Sequence, residues 1–280
     1  MAARLKLIRL ALFGSPVSRS LSPRIHGQFA RQSGIEIEYR AVESTAGALA
    51  GHLQEMAAEG ARGCNITVPL KHRACELATR LSARARQAGA VNTLRFDRED
   101  EWFGDNTDGA GLLRDLRANL DIPVGGRRVL VLGAGGAACG ILYDLMQQQP
   151  AQLVLANRTR EKADGLAGRF CHIGHLQSAA FSDLERLSPF DLVLNATSAG
   201  HQGKLPPLTA TLFAPASVCY DLNYGMAHEV LARWCAEHGI ACHDGLGMLV
   251  EQAAESFLLW TGQRPDTLPV IEALKPGAQR

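Results

Sequence analysis

An excess of charge of either sign is what this sequence most plainly lacks. Its 29 basic and 28 acidic residues leave a formal net charge of +1. That excludes a general electrostatic grip on nucleic acid or on a membrane surface. Aromatic residues are scarce, at 6%, which argues against a base-stacking surface. Long hydrophobic runs are missing too. The uncharged stretch 129–143 carries four glycines and is too short to span a bilayer. Near the N-terminus, Arg9 interrupts the apolar run and Gly14-Ser15-Pro16 supplies a turn. A strand over 5–13 fits this better than a secretory leader. The seven cysteines are odd in number and form no C-x-x-C pair, as expected of free thiols in a reducing compartment. Cys235, His238, Cys242 and His243, like Cys171, His172 and His175, match no standard zinc spacing, and no H-E-x-x-H occurs, so no metal is expected. The reading is a cytoplasmic chain without a membrane segment.

What is present is a regular alternation of strand and helix signals over 280 residues, a length that suits about two domains. Strands are expected at 36–42, 63–68 and 91–96, with a hairpin into Trp102-Phe103. Helices are expected from Ser22 or Pro23 to about 32, over 45–59, over 71–88 with a break near Leu81, and over 108–119. After the turn cluster at 121–126 the pattern becomes a plain β-α repeat. Its strands fall at 128–132, 153–156, 191–195, 218–222 and 241–243, and its helices near 136–148, 159–170 and 226–238. Two further helices, 246–260 and 266–275, close the chain.

The strand Val129-Leu130-Val131-Leu132 runs into Gly133-Ala134-Gly135-Gly136-Ala137-Ala138. This is G-x-G-x-x-A between a strand and a helix, the context that gives a dinucleotide fingerprint its force. Gly133 permits the tight turn, Gly135 lets the backbone approach a pyrophosphate, and Ala138 lets helix and strand pack closely. The helix start then offers free N–H groups to phosphate. The next strand ends Asn157-Arg158-Thr159-Arg160, without the acid that holds a ribose 2′-hydroxyl in NAD sites. Guanidinium and hydroxyl donors suit a 2′-phosphate instead, so NADP is favoured over NAD.

Upstream, Ser20 and Ser22 stand beside a helix start, where hydroxyls and N–H groups suit a carboxylate. Ser22 could equally be a plain N-cap before Pro23. Asn65 and Thr67 share a face if the strand continues through them, and Lys71 follows the proline turn. A lysine in a partly dry cleft can exchange protons near neutrality; a solvated lysine is the bland alternative. Asp108 could cap the helix that follows it, or pair with Lys71.

Nine stretches taken together resemble the shikimate dehydrogenase family, in order and over nearly the whole chain. They are Gly14-Ser-Pro through Ser20-x-Ser22-Pro23 and His26; Asn65-Ile-Thr67-Val-Pro-Leu-Lys71; Gly89-Ala-Val-Asn92-Thr; Gly104-Asp-Asn-Thr-Asp108-Gly; Gly133-Ala-Gly-Gly-Ala137; Asn157-Arg-Thr159; Asn195-Ala-Thr197-Ser-Ala-Gly200; Tyr220-Asp-Leu-Asn-Tyr224; and Asp244-Gly-Leu-Gly-Met-Leu-Val-Glu-Gln252-Ala. The resemblance implies NADPH-dependent, reversible reduction of 3-dehydroshikimate to shikimate in chorismate and aromatic amino-acid biosynthesis. It assigns Ser20 and Ser22 to the substrate carboxylate. Thr67, Asn92, Asp108, Tyr224 and Gln252 become further substrate contacts, and Lys71 the acid/base residue assisted by Asp108. For the cofactor it implies Gly133, Ala134, Gly135, Gly136, Ala137, Asn157, Arg158, Thr159 and Arg160, joined by Thr197, Leu222 and Gly245.

The implied fold is α/β with two domains. An N-terminal α/β substrate domain, 1–108, is completed by C-terminal helices within 246–280, and a Rossmann-like doubly wound NADP domain covers 109–245. Departures exist: Ala83 stands where some members carry an acid, Leu222 where Met is common, and Arg19 where Lys is common. Gly245 and Gly247 are candidate hinges. Expected partners are a small-molecule substrate and no nucleic acid or membrane, in a monomer or homodimer. Rival readings are a broader quinate/shikimate dehydrogenase, a non-catalytic dinucleotide sensor, and another NADP oxidoreductase such as methylenetetrahydrofolate dehydrogenase. Lys71 with Asp108 speaks against the sensor, and the paired serines against the last.

Overall fold

The computed structural model describes residues 7–187 and 189–275, so the outer parts of the first expected strand (5–6) and of the last expected segment (276–280) lie outside the described residues. The chain divides into two compact units, one of residues up to Gly111 together with Val250–Leu274, the other running from Leu112 to Leu249. The divisions fall a few residues beyond 108 and 245, inside helices rather than at the 121–126 turn cluster.

In the first unit the elements are β1 (Ile8–Gly14), α1 (Ser22–Ser33), β2 (Ile37–Glu43), α2 (Leu49–Ala58), β3 (Gly63–Ile66), α3 (Lys71–Leu77), β4 (Arg80–Leu81), α4 (Ala83–Ala88), β5 (Thr93–Phe96), β6 (Trp102–Asp105) and the start of α5 (Asp108–Arg114). The strands form one mixed sheet, ordered β2-β1-β3-β5-β6-β4. β1 pairs parallel with β2 and β3, while β5 is antiparallel to β3 and β6. The side chains of β1 are buried from Leu10 onward, as befits a strand with neighbours on both edges. In α1, Pro23 sits in the first turn and Gly34 adopts φ +63° just past the end, the proline-start, glycine-stop asymmetry of helices. Ile25 and Phe29, four residues apart, give that helix its buried face.

Two expectations need correction here. The helix expected over 71–88 is split into α3 and α4 by the two-residue strand β4, which pairs with β6. Ser82 then opens α4 by accepting from the Ala85 N–H. The helix expected over 108–119 keeps α-geometry only to Arg114 and widens into a π-turn over Asp115–Asn119.

The second unit holds β7 (Arg128–Leu132), α6 (Gly136–Gln147), β8 (Gln152–Asn157), α7 (Arg160–Phe170), β9 (Gln177–Ala180), β10 (Phe190–Asn195), β11 (Phe213–Asp221), α8 (Glu229–Glu237) and β12 (Ala241–His243). All pairings are parallel, in the order β12-β11-β10-β7-β8-β9. The order reverses between β7 and β10, the switch point at which doubly wound sheets bind ligands. Val129 to Leu132 and Leu192 to Leu194 are wholly buried, which explains their unbroken apolar sequence. β9 was not expected: Gln177-Ser-Ala-Ala is a short edge strand without apolar alternation. β11 begins five residues earlier than expected, because a register shift and Ala216 at φ +59° carry the pairing past Pro215. The closing helices are α9 (Leu246–Thr261) and α10 (Leu268–Leu274).

Candidate active site

In the first unit, polar side chains are collected at the ends of β1, β3 and β5. β3 stops at Ile66, so Thr67 lies one residue past the strand, although its N–H still donates to Phe13 O at 2.8 Å. Lys71 follows as the first residue of α3. Its ammonium donates to Asp108 Oδ2, with 18% of the lysine side chain and 10% of the aspartate side chain exposed. Asn92 Nδ2 donates to Asp108 Oδ1 at 2.8 Å. Asp108 is therefore no helix cap: its two oxygens serve Lys71 and Asn92. Asn92 also reaches Gln252 Oε1 at 3.3 Å and Thr107 Oγ1 at 2.9 Å, while Thr107 N–H donates back to Asn92 Oδ1 at 2.9 Å. Lys71, Asn92, Asp108 and Gln252 thus form one hydrogen-bonded group.

A second set of bonds joins this group to the serines. Ser20 Oγ donates to Ser22 Oγ at 3.1 Å, and Ser22 reaches the Tyr39 hydroxyl. Tyr39 donates to Asn65 Oδ1 at 2.7 Å. Asn65 Nδ2 then reaches Asn92 O at 3.2 Å, Thr93 Oγ1 at 3.1 Å and Ser256 Oγ at 3.1 Å. His26 Nε2 lies 3.2 Å from Asn65 Oδ1. Because that oxygen can only accept, the imidazole carries its proton on Nε2. Burial holds His26 down to about 3 against the partial support of the Asn65 bond, so it is neutral. His26 Nδ1 is buried without a hydrogen-bond partner, but the bonds among the other members fix their side-chain positions closely. Tyr39 and Ser256 were not legible as site residues. Tyr39 lies in an ordinary strand with no motif. Ser256 had a usable signal, one helical turn after Gln252 on α9.

Beside this group, Arg84 forks onto Asp105 with bonds of 2.8 and 2.6 Å. Burial pushes the Asp105 carboxyl up, but Arg84, the Ser82 hydroxyl and the Asn106 N–H together outweigh it and hold the acid below its usual range.

The second unit uses backbone where the first uses side chains. Gly133 ends β7 at φ +100°, and a Cβ there would lie 3.0 Å from Ala196 O, so only glycine fits both conformation and space. Gly135 and Gly136 have nothing within 4 Å of a built Cβ. With Ala137 they leave the first turn of α6 exposed and free of any side-chain cap. Ala138, by contrast, is fully buried against the sheet. Free N–H groups and the positive helix end form a cradle for phosphate, and the residues present fit a dinucleotide. Ala134 N–H donates to Asn157 Oδ1 at 3.2 Å, and Asn157 Nδ2 to Thr159 O at 2.8 Å. Asn157 therefore ties the glycine turn to the end of β8 rather than standing free. Arg158 and Thr159 are exposed. Arg160 instead turns along α7, 3.0 Å from Asp183 and 3.7 Å from Asp164. Exposed pairs of this kind are weak.

At the ends of β10 and β11, Thr197 Oγ1 donates to Asn195 Oδ1 at 2.7 Å, and Asn195 Nδ2 to Asp221 Oδ1 at 2.9 Å. Asn223 Nδ2 bridges Asp221 Oδ1 and Thr197 O. Leu222 is half-buried just past β11, and its N–H donates to Asn195 O at 2.9 Å. Gly245 lies against it, since a Cβ there would come within 2.3 Å of Leu222 O. Gly247 likewise faces Asp115, 2.0 Å from a built Cβ. Close packing therefore accounts for both glycines, and a hinge role is not needed to explain them. Tyr224 follows, 36% exposed, with partial burial pushing its phenol up.

Three family profiles match successive parts of the chain: a shikimate dehydrogenase substrate binding domain over residues 12–94, a shikimate / quinate 5-dehydrogenase over 117–203, and a shikimate 5′-dehydrogenase C-terminal domain over 245–275. A shikimate dehydrogenase (NADP(+)) of Nitrosospira multiformis is 50% identical over 269 residues, 95% of this chain and 96% of that protein. The chain belongs to the shikimate dehydrogenase family. Solved relatives agree in fold. An Ael1 enzyme from Pseudomonas putida superposes with a TM-score of 0.89 at 44% identity, covering 95% of this chain and 98% of its own. Shikimate 5-dehydrogenase from Thermus thermophilus, in complex with NADP(H) and shikimate, gives 0.81 at 33% identity, with the same coverage. The family's two-domain α/β architecture is therefore the architecture of this chain, with the mixed sheet in the part matched as substrate binding. Among the described residues, no helix is long and apolar enough to cross a membrane.

Proposed function

We propose that the chain is an NADP-dependent shikimate dehydrogenase, interconverting 3-dehydroshikimate and shikimate, with Lys71 as its acid/base residue. The observation that carries this reading is the Lys71–Asp108–Asn92–Gln252 group, a partly buried cation held in place by a carboxylate that a neighbouring amide itself fixes. When bound at the α6 cradle, NADPH supplies the hydride. Lys71 donates a proton to the substrate carbonyl oxygen in reduction and takes it from the hydroxyl in the reverse direction. Asp108 orients the ammonium and accepts from a substrate hydroxyl. Asn92 and Gln252 add amide contacts to the remaining hydroxyls, with Thr67 and Tyr224 as further contacts. Ser20 and Ser22 bind the carboxylate through their hydroxyls, Ser22 being oriented from behind by Tyr39.

The cofactor preference follows from the end of β8. No acid stands there to hold a ribose 2′-hydroxyl, and Arg158 is exposed beside Thr159. Arg158 and Thr159 would hold the 2′-phosphate, with Arg160 as a further cation beside them. Gly133 to Ala137 would hold the pyrophosphate, and Thr197, Leu222 and Gly245 would line the nicotinamide end. The enzyme works in the cytoplasm, as a monomer or homodimer.

The test mixes purified protein with shikimate and NADP+ and follows reduced nicotinamide by absorbance, with parallel cuvettes holding quinate or NAD+. Strong activity only with shikimate and NADP+ is expected. Comparable rates with quinate or NAD+ would move the assignment to the broader quinate/shikimate dehydrogenase. Absence of turnover in every cuvette, with NADP+ still bound, would overturn the role given to Lys71.

A further inference from the structure

Outside the site already described, three thiols converge within the second unit. Cys219 on β11 and Cys242 on β12 are register partners in adjacent parallel strands, so their side chains leave the same face of the sheet. Helix α8 covers that face, presenting Leu231 and, one turn on, Cys235. The three sulfurs all lie within 4.8 Å of one another, and each is within hydrogen-bonding contact of the other two. All three cysteines are free thiols. Cys219 and Cys235 are fully buried, packed with Leu231 and walled by Leu205, Leu208, Phe213, Trp234 and Ile240. Cys242 is half-buried on the edge strand of the sheet, which gives the cluster a side open to solvent. Sequence spacing alone had grouped Cys235 and Cys242 with His238 and His243. The fold replaces the histidines with Cys219, twenty-three residues upstream of Cys242, and turns His238 Nδ1 to within 2.8 Å of Trp234 O.

We propose that Cys219, Cys235 and Cys242 form a three-thiolate site for a divalent thiophilic metal ion of the zinc and cadmium class. Three sulfurs around an ion at the usual metal–sulfur distance of about 2.3 Å lie roughly 3.8–4.0 Å apart, so the cluster needs only a small contraction to bind. An all-sulfur donor set selects soft cations and rejects magnesium or calcium, which require oxygen. Charge selects among soft cations. Binding converts M²⁺ and three thiols into one M(SR)₃⁻ centre and three released protons, with no change of oxidation state. A divalent ion thus leaves a single negative charge, where a monovalent ion would leave two in an apolar wall. Among the described residues no fourth protein ligand joins the three, so water entering beside Cys242 completes the tetrahedron. The bound ion ties α8 to the β11–β12 edge.

The experiment uses the full chain, reduced, treated with chelator and kept anaerobic, and titrates it with cadmium chloride. The expected result is an ultraviolet thiolate-to-cadmium charge-transfer band that saturates at one equivalent and is lost on adding excess chelator. A rise of several degrees in melting temperature should accompany it, since a ligand bound only by the folded state stabilises it. Cys242→Ser, at the half-buried position, should abolish the band. Cys171→Ser, at an exposed cysteine elsewhere in the unit, should leave it intact. Absence of the band in the wild-type protein would overturn the proposal, as would a band that survives Cys242→Ser. The wild-type titration decides the matter even if a variant folds poorly.

Discussion

The two units solve different problems with different parts of the chain. Around Lys71 the first unit spends side chains: Asn65, Asn92, Thr93, Thr107, Asp108 and Ser256 are buried polar residues bonded to one another. Around Gly133 the second unit spends backbone, through an exposed helix start, a glycine at positive φ, and strand ends tied by Asn157 and Asn195. Moving a proton at one atom requires a titratable group held in one place, and a satisfied network supplies that. Holding a polyanion requires many N–H groups and room for the main chain to approach, and glycine supplies that. The comparison predicts that substitutions in the first unit change turnover, whereas those in the second change cofactor affinity.

After Lys71 itself, the largest effect is expected at Asp108. Asp108→Asn removes the charge opposite Lys71 while keeping the shape, and should lower kcat by about 10²-fold, with NADP+ affinity unchanged. A variant that lost cofactor binding in the same proportion would break the separation between the units. Next comes Arg84→Ala, which deprives the buried Asp105 carboxylate of its forked partner and should reduce stability by about 1.5–3 kcal/mol at neutral pH. The pH dependence has a definite sign. The folded carboxyl sits below its unfolded value, so its stabilisation is present above pH ~4, the unfolded value, and fades as pH falls through the folded one. Acid melts of the wild type should therefore show a loss below pH 4 that Arg84→Ala lacks, because the variant has already lost it. A parallel acid limb in both proteins would show that this pair does not set it. The smallest effect is expected from Gly133→Ala. A Cβ at φ +100° and 3.0 Å from Ala196 O is strained by roughly 1–3 kcal/mol. It should weaken NADP+ binding about tenfold or more by equilibrium titration, with shikimate KM little altered.

The same contrast explains what could be read from the chain before its structure. Gly133-x-Gly135 was legible because glycine pattern and strand context encode a backbone geometry directly. Lys71 and Asp108 were legible only as members of ordered motifs that resemble a family. Each alone looked like a solvated lysine or a helix cap, and nothing local says that Asp108 turns both oxygens inward. Tyr39 was not legible, because its importance comes from meeting Asn65 across two strand crossings in the sheet. Arg160 was read as a phosphate ligand from its position after β8; that it also pairs with Asp164 one turn along α7 and with Asp183 was not legible. Strands with two covered faces announced themselves by continuous apolar sequence, whereas the edge strand β9 had no such pressure. The thiol cluster required the β11–β12 register, which sequence spacing cannot supply.

The most direct test of this account compares Lys71→Ala with the wild type in two readings, turnover with shikimate and NADP+, and equilibrium binding of NADP+ alone. The account predicts a loss of about 10²-fold or more in turnover, with unchanged NADP+ affinity and little change in shikimate KM. Near-normal turnover, or a matching loss of NADP+ binding, would contradict it.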